Sequence, residues 1–474
     1  MTDELVYSNG INGLTGEYLK PPIPISELAE SAVERRKEPD DRGWLERVVD
    51  VAGQDLTYGM GFQYDETDTA SVGWAVVFND QEEQAVRDAL APLIEHRRAT
   101  AGDVTRELDY HEGESWRDWL ARYRTGPGNP DPNKVPYYVL LVGGPDRIPF
   151  SFQYLLDVEW AVGRLDLPDA ESYSRYAQTV IASETGNAKP RDETVAFFGT
   201  RHAGDGATEL SARSLVTPLA DGFSQGGHLH DHVPPVKVER MLGDPAKKVA
   251  LGDLFSGKGE LGRPKLLFSA THGMGGWPAG HPDQEANHGA LLCQDWPGPG
   301  RGQIGAQQYF AAADLAADAD VAGLVAIFFA CYGAGTPQVD AFDRVPSQAP
   351  PVIADRPFVA RLPKALLGAG ALAAVGHVER AWGYSFVSAR GDEQLTPFED
   401  ALGRILCGEP VGHAMTMFNS RYSSLSAGLL TTLDDAGAGK VVSDAEIVRD
   451  WTERNDAQNY VVLGDPAVRL PMAA

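Results

Sequence analysis

Cysteine, long apolar runs and basic residues are all scarce in this sequence, and each scarcity excludes a class of protein. The three cysteines (Cys293, Cys331 and Cys407) are too few for a disulfide framework and predict a reducing, cytoplasmic environment. No 18 apolar residues run together, and the opening MTDELVYSNG lacks the regions of a secretory signal. We therefore expect neither a membrane span nor export. The net charge of −26 disfavours nucleic acids and anionic membranes as partners.

Signals for metal or cofactor chemistry are equally sparse. The glycine pattern GKGELG (257–262) precedes a strand instead of following one, which excludes a dinucleotide site. The histidines of HLHDH (228–232) are interpreted as an exposed polar connection, although zinc binding by alternate imidazoles stays open. We expect no catalytic metal and no cofactor, with a structural calcium ion left open.

Strand-like and helix-like segments alternate along most of the chain. Eight segments predict strands: 71–78, 137–144, 195–200, 236–242, 265–273, 322–333, 371–380 and 459–465. Such alternation predicts an α/β fold with mainly parallel sheets and helices on both faces. We expect an N-terminal extension wrapped on the surface (1–70), a smaller α/β subdomain (71–190) and a larger catalytic one (191–474) in tandem.

Two reactive side chains stand where neighbouring apolar strands end. LLFSATHG delivers His272 and then Gly273, and GLVAIFFACYG delivers Cys331. Because α/β proteins place their chemistry at the carboxyl ends of parallel strands, the two should lie close together. A thiol beside an imidazole can form a thiolate–imidazolium pair, which is a strong nucleophile. Taken singly, each residue is typical of a structural position; together they predict a catalytic pair.

Several motifs in order resemble the caspase-like cysteine-peptidase clan, and most closely its gingipain-type members, with a likeness to the CHAT proteases as well. A block ending in His-Gly and a block ending in Ala-Cys are accompanied by YYVLLVGGPDRIPF, DVEWAVGRLDL, GHVERAWGYSF and VLGDPAVRLP. The resemblance covers residues 135–470. It implies a three-layer fold, catalytic His272 and Cys331, and an oxyanion hole formed by the amides of Gly273 and Cys331.

The same resemblance implies further site residues. Asp146, after Gly143-Gly144, is the nearest candidate for a third catalytic acid. Asp157 matches the aspartate that accepts Arg in the specificity pocket, and a carboxylate there would select Arg or Lys by charge. Trp382 is the candidate aromatic wall of that pocket. The alternative is a solvated aspartate and a core tryptophan.

Two features depart from the family pattern. The 59 positions between His272 and Cys331 exceed the usual spacing, and the surplus falls in residues 275–300. The chain also carries neither the signal nor the trailing immunoglobulin-like domains of gingipains. We therefore expect an intracellular, regulatory or defensive role.

The segment 336–363 contains six prolines and predicts a long exposed loop. It carries Arg344, Arg356 and Arg361, so cleavage after one of them, by the enzyme itself or by an upstream protease or sensor pathway, is one activation hypothesis. The other is that the prolines form a rigid rim of the substrate groove.

Together these patterns predict a cytoplasmic cysteine endopeptidase that cleaves protein or peptide substrates after Arg or Lys. Three alternatives stay open: the same peptidase with non-basic specificity, a catalytically silent scaffold with this fold, and a metal-dependent hydrolase that uses the histidine-rich segments.

Overall fold

A ten-stranded sheet runs through the whole molecule. The computed structural model describes residues 5–6, 10–19, 23–24, 60–340, 351–387 and 393–472. The strands in chain order are β1 Leu5–Val6, β2 Ile11–Asn12, β3 Ile23–Pro24, β4 Trp74–Asn79, β5 Thr105–Tyr110, β6 Tyr138–Val142, β7 Ala161–Leu165, β8 Asp192–Gly199, β9 Lys237–Leu242, β10 Pro264–Ala270, β11 Met274–Gly275, β12 Leu291–Leu292, β13 Tyr309–Phe310, β14 Val325–Phe329, β15 Gly335–Thr336, β16 Phe358–Val359, β17 Ala373–His377 and β18 Tyr460–Gly464.

The sheet consists of two parallel halves that run in opposite directions. Its order is β5-β4-β6-β7-β18-β17-β14-β10-β8-β9. β18 pairs parallel with β7 on one side and antiparallel with β17 on the other. The carboxyl ends of β10, β14 and β17 therefore lie at the same edge of the sheet as the amino ends of β6 and β7. We call this edge the catalytic edge.

Helices pack on both faces of the sheet. Along β4, Trp74, Val76 and Phe78 join one apolar cluster, and Ala75 and Val77 join another on the opposite face. This alternation is what a strand buried on both sides requires. The α-helices span Thr69–Val72, Gln84–Ala101, Trp116–Arg122, Phe150–Leu156, Ala170–Glu184, Gly206–Ser211, Thr217–Phe223, Lys248–Ser256, Pro282–Asn287, Arg361–Gly368, Thr396–Leu406, Val411–Ala414, Thr416–Gly437 and Asp444–Gln458. None of the described helices has both the length and the apolar character needed to cross a bilayer.

The predicted α/β class is confirmed, and the layers are consistent with a three-layer caspase-like architecture. All eight predicted strands are present. Two strands of the ten-stranded sheet were missed: β5, whose sequence TRELDY contains three charged residues at the sheet edge, and β7, which carries Gly163 and the buried Arg164. The Arg164 guanidinium donates to Oε1 of Gln153 and to the carbonyl of Gly143, so a charged residue is accommodated in a central strand. The proposed break near residue 190 falls between β7 and β8, yet the two halves share one continuous sheet.

One helix begins later than its sequence predicts. The sequence of residues 80–83 (DQEE) is typical of a capping box, but the helix begins at Gln84 with Glu83 as its N-cap and no side-chain cap bond. Val86, Leu90, Leu93 and Ile94, which the helical repeat places on one face, are all buried.

Candidate active site

His272 and Cys331 lie side by side at the catalytic edge. The paired strands β10 and β14 end in register at Ala270 and Phe329, and each functional side chain comes two residues later. The amide of Thr271 still donates to the carbonyl of Phe329 (3.1 Å), so the strands stay together as they leave the sheet. Adjacent strands are about 4.8 Å apart, so the backbones that carry His272 and Cys331 leave the sheet as neighbours. The two residues predicted to act together are thus brought together.

The carboxylate of Asp205 contacts the imidazole of His272. Oδ2 of Asp205 lies 2.7 Å from Nε2 of His272. The same carboxylate accepts hydrogen bonds from the hydroxyls of Thr208 (2.7 Å) and Tyr18 (2.8 Å). Trp296 packs edge-on against the His272 ring at 5.8 Å. The ring is therefore fixed in position and orientation by polar and aromatic neighbours.

Asp205 is charged although it is fully buried. Burial pushes its pKa upward. The positive charge that His272 carries when its ring is protonated, together with hydrogen bonds from His272, Thr208 and Tyr18, outweighs burial and holds the pKa of Asp205 well below its usual range. The neighbouring His202 stays neutral, because burial and the charge of His272 lower its pKa to about 4. A negative carboxylate thus faces His272 at neutral pH.

The sequence interpretation named Asp146 as the third acid, and the structure does not bring Asp146 to this site. It follows β6, whose carboxyl end lies at the opposite edge, and its carboxylate pairs with Arg356 at 3.2 Å. Asp205 was missed, although it follows β8, a neighbour of β10 whose carboxyl end is at the catalytic edge. The strand-end rule applied to GTRHAGD would have found it.

Gly273 is required by the close approach of two backbones. A methyl group on its Cα would lie 1.8 Å from the carbonyl oxygen of Cys331 and 2.9 Å from its nitrogen. Within the described part of the chain, the N–H groups of Gly273 and Cys331 donate no backbone hydrogen bond. Two unsatisfied amides beside a thiol form the donor pair that an oxyanion needs.

The thiol is enclosed and protonated in this structure. Cys331 has no exposed surface, and burial raises its pKa to about 12 despite the hydrogen bond from Ala381 and the charge of Arg380. The amide of Ala381 donates to Sγ at 3.2 Å. The next residue, Tyr332, has a left-handed φ of 58°, so the chain turns sharply directly after the thiol. The thiolate–imidazolium pair expected from the sequence is not the form that this environment favours.

The loop after β17 forms the wall behind the thiol. It contains Trp382, which is buried and whose amide donates to Oδ1 of Asp456 (2.9 Å). Arg380 forms a buried ion pair with Asp340 in the same region. Trp382 follows Ala381 directly, so its backbone lies close to the thiol, and its role as the aromatic wall of a pocket stays a prediction.

Asp157 lies at the catalytic edge but away from the thiol. It precedes β7, three strand positions from β14, which corresponds to about 14 Å. Its carboxyl accepts a hydrogen bond from the amide of Val162, and burial raises its pKa well above the usual range against the effects of that bond and of Arg164. A buried neutral carboxyl does not offer the charge that the specificity prediction required.

The described part of the proline-rich segment after Cys331 contains two short paired strands. β15 pairs antiparallel with β16, and Val339 and Val352 form a further bridge. Arg356 is exposed and paired with Asp146 and Glu285, and Arg361 begins a helix. Arg344 lies outside the described residues. The described part of the predicted long exposed loop therefore contains short paired segments, together with exposed residues such as Val339 and Val352.

Residues 10–19 lie on the active site and not on the outer surface as expected for the N-terminal extension. Ile11 is fully buried and joins an apolar cluster with Met274, Trp277 and Trp296. Those partners all come from the region 274–300, which includes the surplus residues between His272 and Cys331. The surplus residues between His272 and Cys331 therefore form part of the surface against which residues 10–19 pack.

Comparison with known proteins gives partial fold similarity. No family model matches the sequence, and no curated protein matches it. A solved structure named only as a protease aligns over 87% of this chain and 80% of its own, at 14% identity and a TM-score of 0.45. The Saccharomyces cerevisiae separase–securin complex aligns over 69% of this chain, at 11% identity and a TM-score of 0.28, and the match spans 16% of the other chain. The case for function therefore depends on the geometry of the site.

Proposed function

We propose that the protein is a cysteine endopeptidase with Cys331 as nucleophile and His272 as general base and acid. One observation supports the proposal. The paired strands β10 and β14 end side by side, two residues before His272 and Cys331, and a charged carboxylate contacts the imidazole; among the described residues, the amides of Gly273 and Cys331 donate to no backbone carbonyl. Asp205 orients the ring and stabilises its protonated form, and so acts as a positioning residue.

In the proposed reaction, the Cys331 thiol gives its proton to Nδ1 of His272, the nitrogen opposite the Asp205 contact. Sγ bonds to the carbonyl carbon of the substrate, and the resulting oxyanion accepts hydrogen bonds from the amides of Gly273 and Cys331. The C–N bond breaks as His272 returns the proton to the leaving amine. Water, deprotonated by His272, then hydrolyses the thioester and restores the thiol.

The structure favours the non-basic alternative for specificity. The expected preference for Arg or Lys depended on a charged Asp157, which is buried, neutral and three strands from Cys331. Trp382 keeps its proposed place as a wall of the substrate site. Of the processing hypotheses, the paired strands β15 and β16 favour the rigid rim over cleavage after Arg356 or Arg361.

A fluorogenic peptide panel on wild type, Cys331→Ala and His272→Ala tests the proposal. We expect at least one peptide to be cleaved by wild type and activity to fall to about 1% or less in both variants, with thermal unfolding little changed. Equal activity of wild type and Cys331→Ala would contradict the assignment of Cys331 as the nucleophile. Inactivity of wild type on every peptide, under conditions where Cys331 is accessible, would favour a silent scaffold with this fold.

A further inference from the structure

We propose that residues 10–19 occupy the substrate groove of Cys331 in cis, and that this groove accepts an extended peptide with an apolar side chain beside the nucleophile. We call residues 10–19 the plug. The inference rests on the proposed peptidase function, since it states what the site binds and how it is restrained.

The plug binds as an added strand, in the way that extended peptides bind sheet edges. β2 pairs parallel with β11, the segment that directly follows His272 and Gly273. The amide of Ile11 donates to the carbonyl of Gly273 (3.3 Å), and the amide of Gly13 donates to the carbonyl of Gly275 (2.9 Å). The backbone of β11 is thus engaged next to the catalytic pair.

The plug lies close to Cys331, His272 and Asp205. A methyl group on Gly10 would lie 3.6 Å from Sγ of Cys331. The Tyr18 ring packs edge-on against His272 at 6.2 Å, and its hydroxyl donates to Asp205 at 2.8 Å. One ten-residue segment therefore lies next to all three side chains and helps to cover the thiol, together with the loop that contains Ala381.

The carbonyl of Gly10 is placed so that the plug blocks the site and is not cleaved there. Its oxygen accepts a hydrogen bond from the amide of Leu19 at 2.9 Å. The oxygen is therefore directed into the plug itself and not at the amides of Gly273 and Cys331. The Gly10–Ile11 peptide bond therefore lacks the alignment that attack by the thiol requires.

An apolar pocket beside the thiol holds Leu19. A methyl group on Gly276 would lie 2.8 Å from Cδ2 of Leu19, and one on Gly275 would lie 3.2 Å from its Cδ1 and 2.8 Å from the Tyr332 ring. The Leu19 side chain thus packs on the glycine backbone next to Tyr332, close to Gly10. A displacing peptide would place an aliphatic side chain here, which identifies the ligand class as an extended peptide with an apolar residue.

Alkylation of Cys331 by iodoacetamide in the full-length protein tests the plug, since accessibility is measured independently of turnover. Mass-spectrometric peptide mapping follows Cys331, with the exposed Cys407 as internal reference. In Gly13→Val the added side chain would meet the Trp277 ring, which lies 2.1 Å from the position of the new Cβ. We expect this variant to raise the Cys331 rate about tenfold or more by opening the groove. Leu14→Ala, in the same segment but 37% exposed, is the matched control and should match wild type.

A second variant and an added peptide provide independent tests of the plug and of the apolar pocket. Ile11→Asp places a charge in the buried cluster and should also accelerate alkylation, with thermal unfolding confirming that both variants are folded. A synthetic peptide of residues 10–19 should slow alkylation of Gly13→Val, and the same peptide with Asp in place of Leu19 should not. Wild-type Cys331 reacting as fast as in folded Gly13→Val would overturn the plug, and equal protection by both peptides would overturn the apolar pocket. Faster alkylation without peptide cleavage would support the plug and remove the peptidase proposal.

Discussion

Asp205 and His272 form a buried contact of 2.7 Å between a carboxylate oxygen and Nε2, which leaves Nδ1 as the other ring nitrogen. The contact fixes which ring nitrogen can serve the thiol. It also links the tip of β8 to the tips of β10 and β14, so three neighbouring strands each supply one member of the site.

Asp205→Asn should lower kcat by about 100-fold or more, because the ring loses the charge that favours its protonated form and its tautomer. A merely structural role would leave the pH dependence unchanged, whereas loss of this charge should shift the pH profile of kcat/KM. Asp221→Asn, an exposed carboxylate on the helix Thr217–Phe223, is the control. An unchanged pH profile with full activity would contradict the positioning role.

Gly273→Ala should abolish peptidase activity and destabilise the protein by about 1–3 kcal/mol, because its Cβ would overlap the Cys331 carbonyl. Urea denaturation and the peptide assay measure the two effects. Gly252→Ala is the control, since the space beside Gly252 in its helix is open. That variant should retain activity, and a fully active Gly273→Ala would show that the backbone approach is not needed.

Asp157→Asn should change turnover of Arg-containing peptides by no more than about threefold, because the carboxyl is already neutral and Asn can still accept the Val162 hydrogen bond. Measuring kcat/KM for two peptides that differ only in Arg or Leu before the cleaved bond tests this prediction. A tenfold loss confined to the Arg peptide would restore Asp157 as the specificity residue and place the groove nearer β7 than the strand order indicates.

Asp456 predicts a pH dependence of stability. Burial raises its pKa to about 7, partly opposed by hydrogen bonds from Ser385 and Trp382. The folded protein therefore keeps this proton where the unfolded chain, with a pKa near 4, has lost it. The free energy of unfolding should fall as pH rises from 4 to 7, by up to about 4 kcal/mol from this group.

Urea denaturation of wild type and Asp456→Asn between pH 5 and pH 8 isolates this contribution. Asparagine does not titrate, so the variant should lose that part of the slope, while the exposed Asp318→Asn should retain it. Parallel curves for wild type and Asp456→Asn would show that Asp456 is ionised in the folded state.

Local patterns predicted the strands and led to the proposed pair of His272 and Cys331, because both depend on short stretches of sequence. His272 and Cys331 could be found from apolar runs that end in a reactive residue. The strand-end rule offers both Asp146 and Asp205 as partners for His272, and choosing between them requires the relative direction of the two half-sheets. That direction is set by β18, whose partners β7 and β17 are brought to it by long-range pairing. The burial of Ile11 was unpredictable for the same reason, since the cluster that covers it lies more than 260 residues away in sequence.

The position of β18 has a consequence for synthesis. Residues 460–464 are the last of the sheet strands to be translated, yet they stand at the centre of the sheet. On the ribosome, β7 and β17 each present an open edge until this strand emerges. A chain that stops short of residue 460 has no strand to join its two halves, and its exposed edges are available to other chains. The sheet can therefore be completed only after β18 has been synthesised.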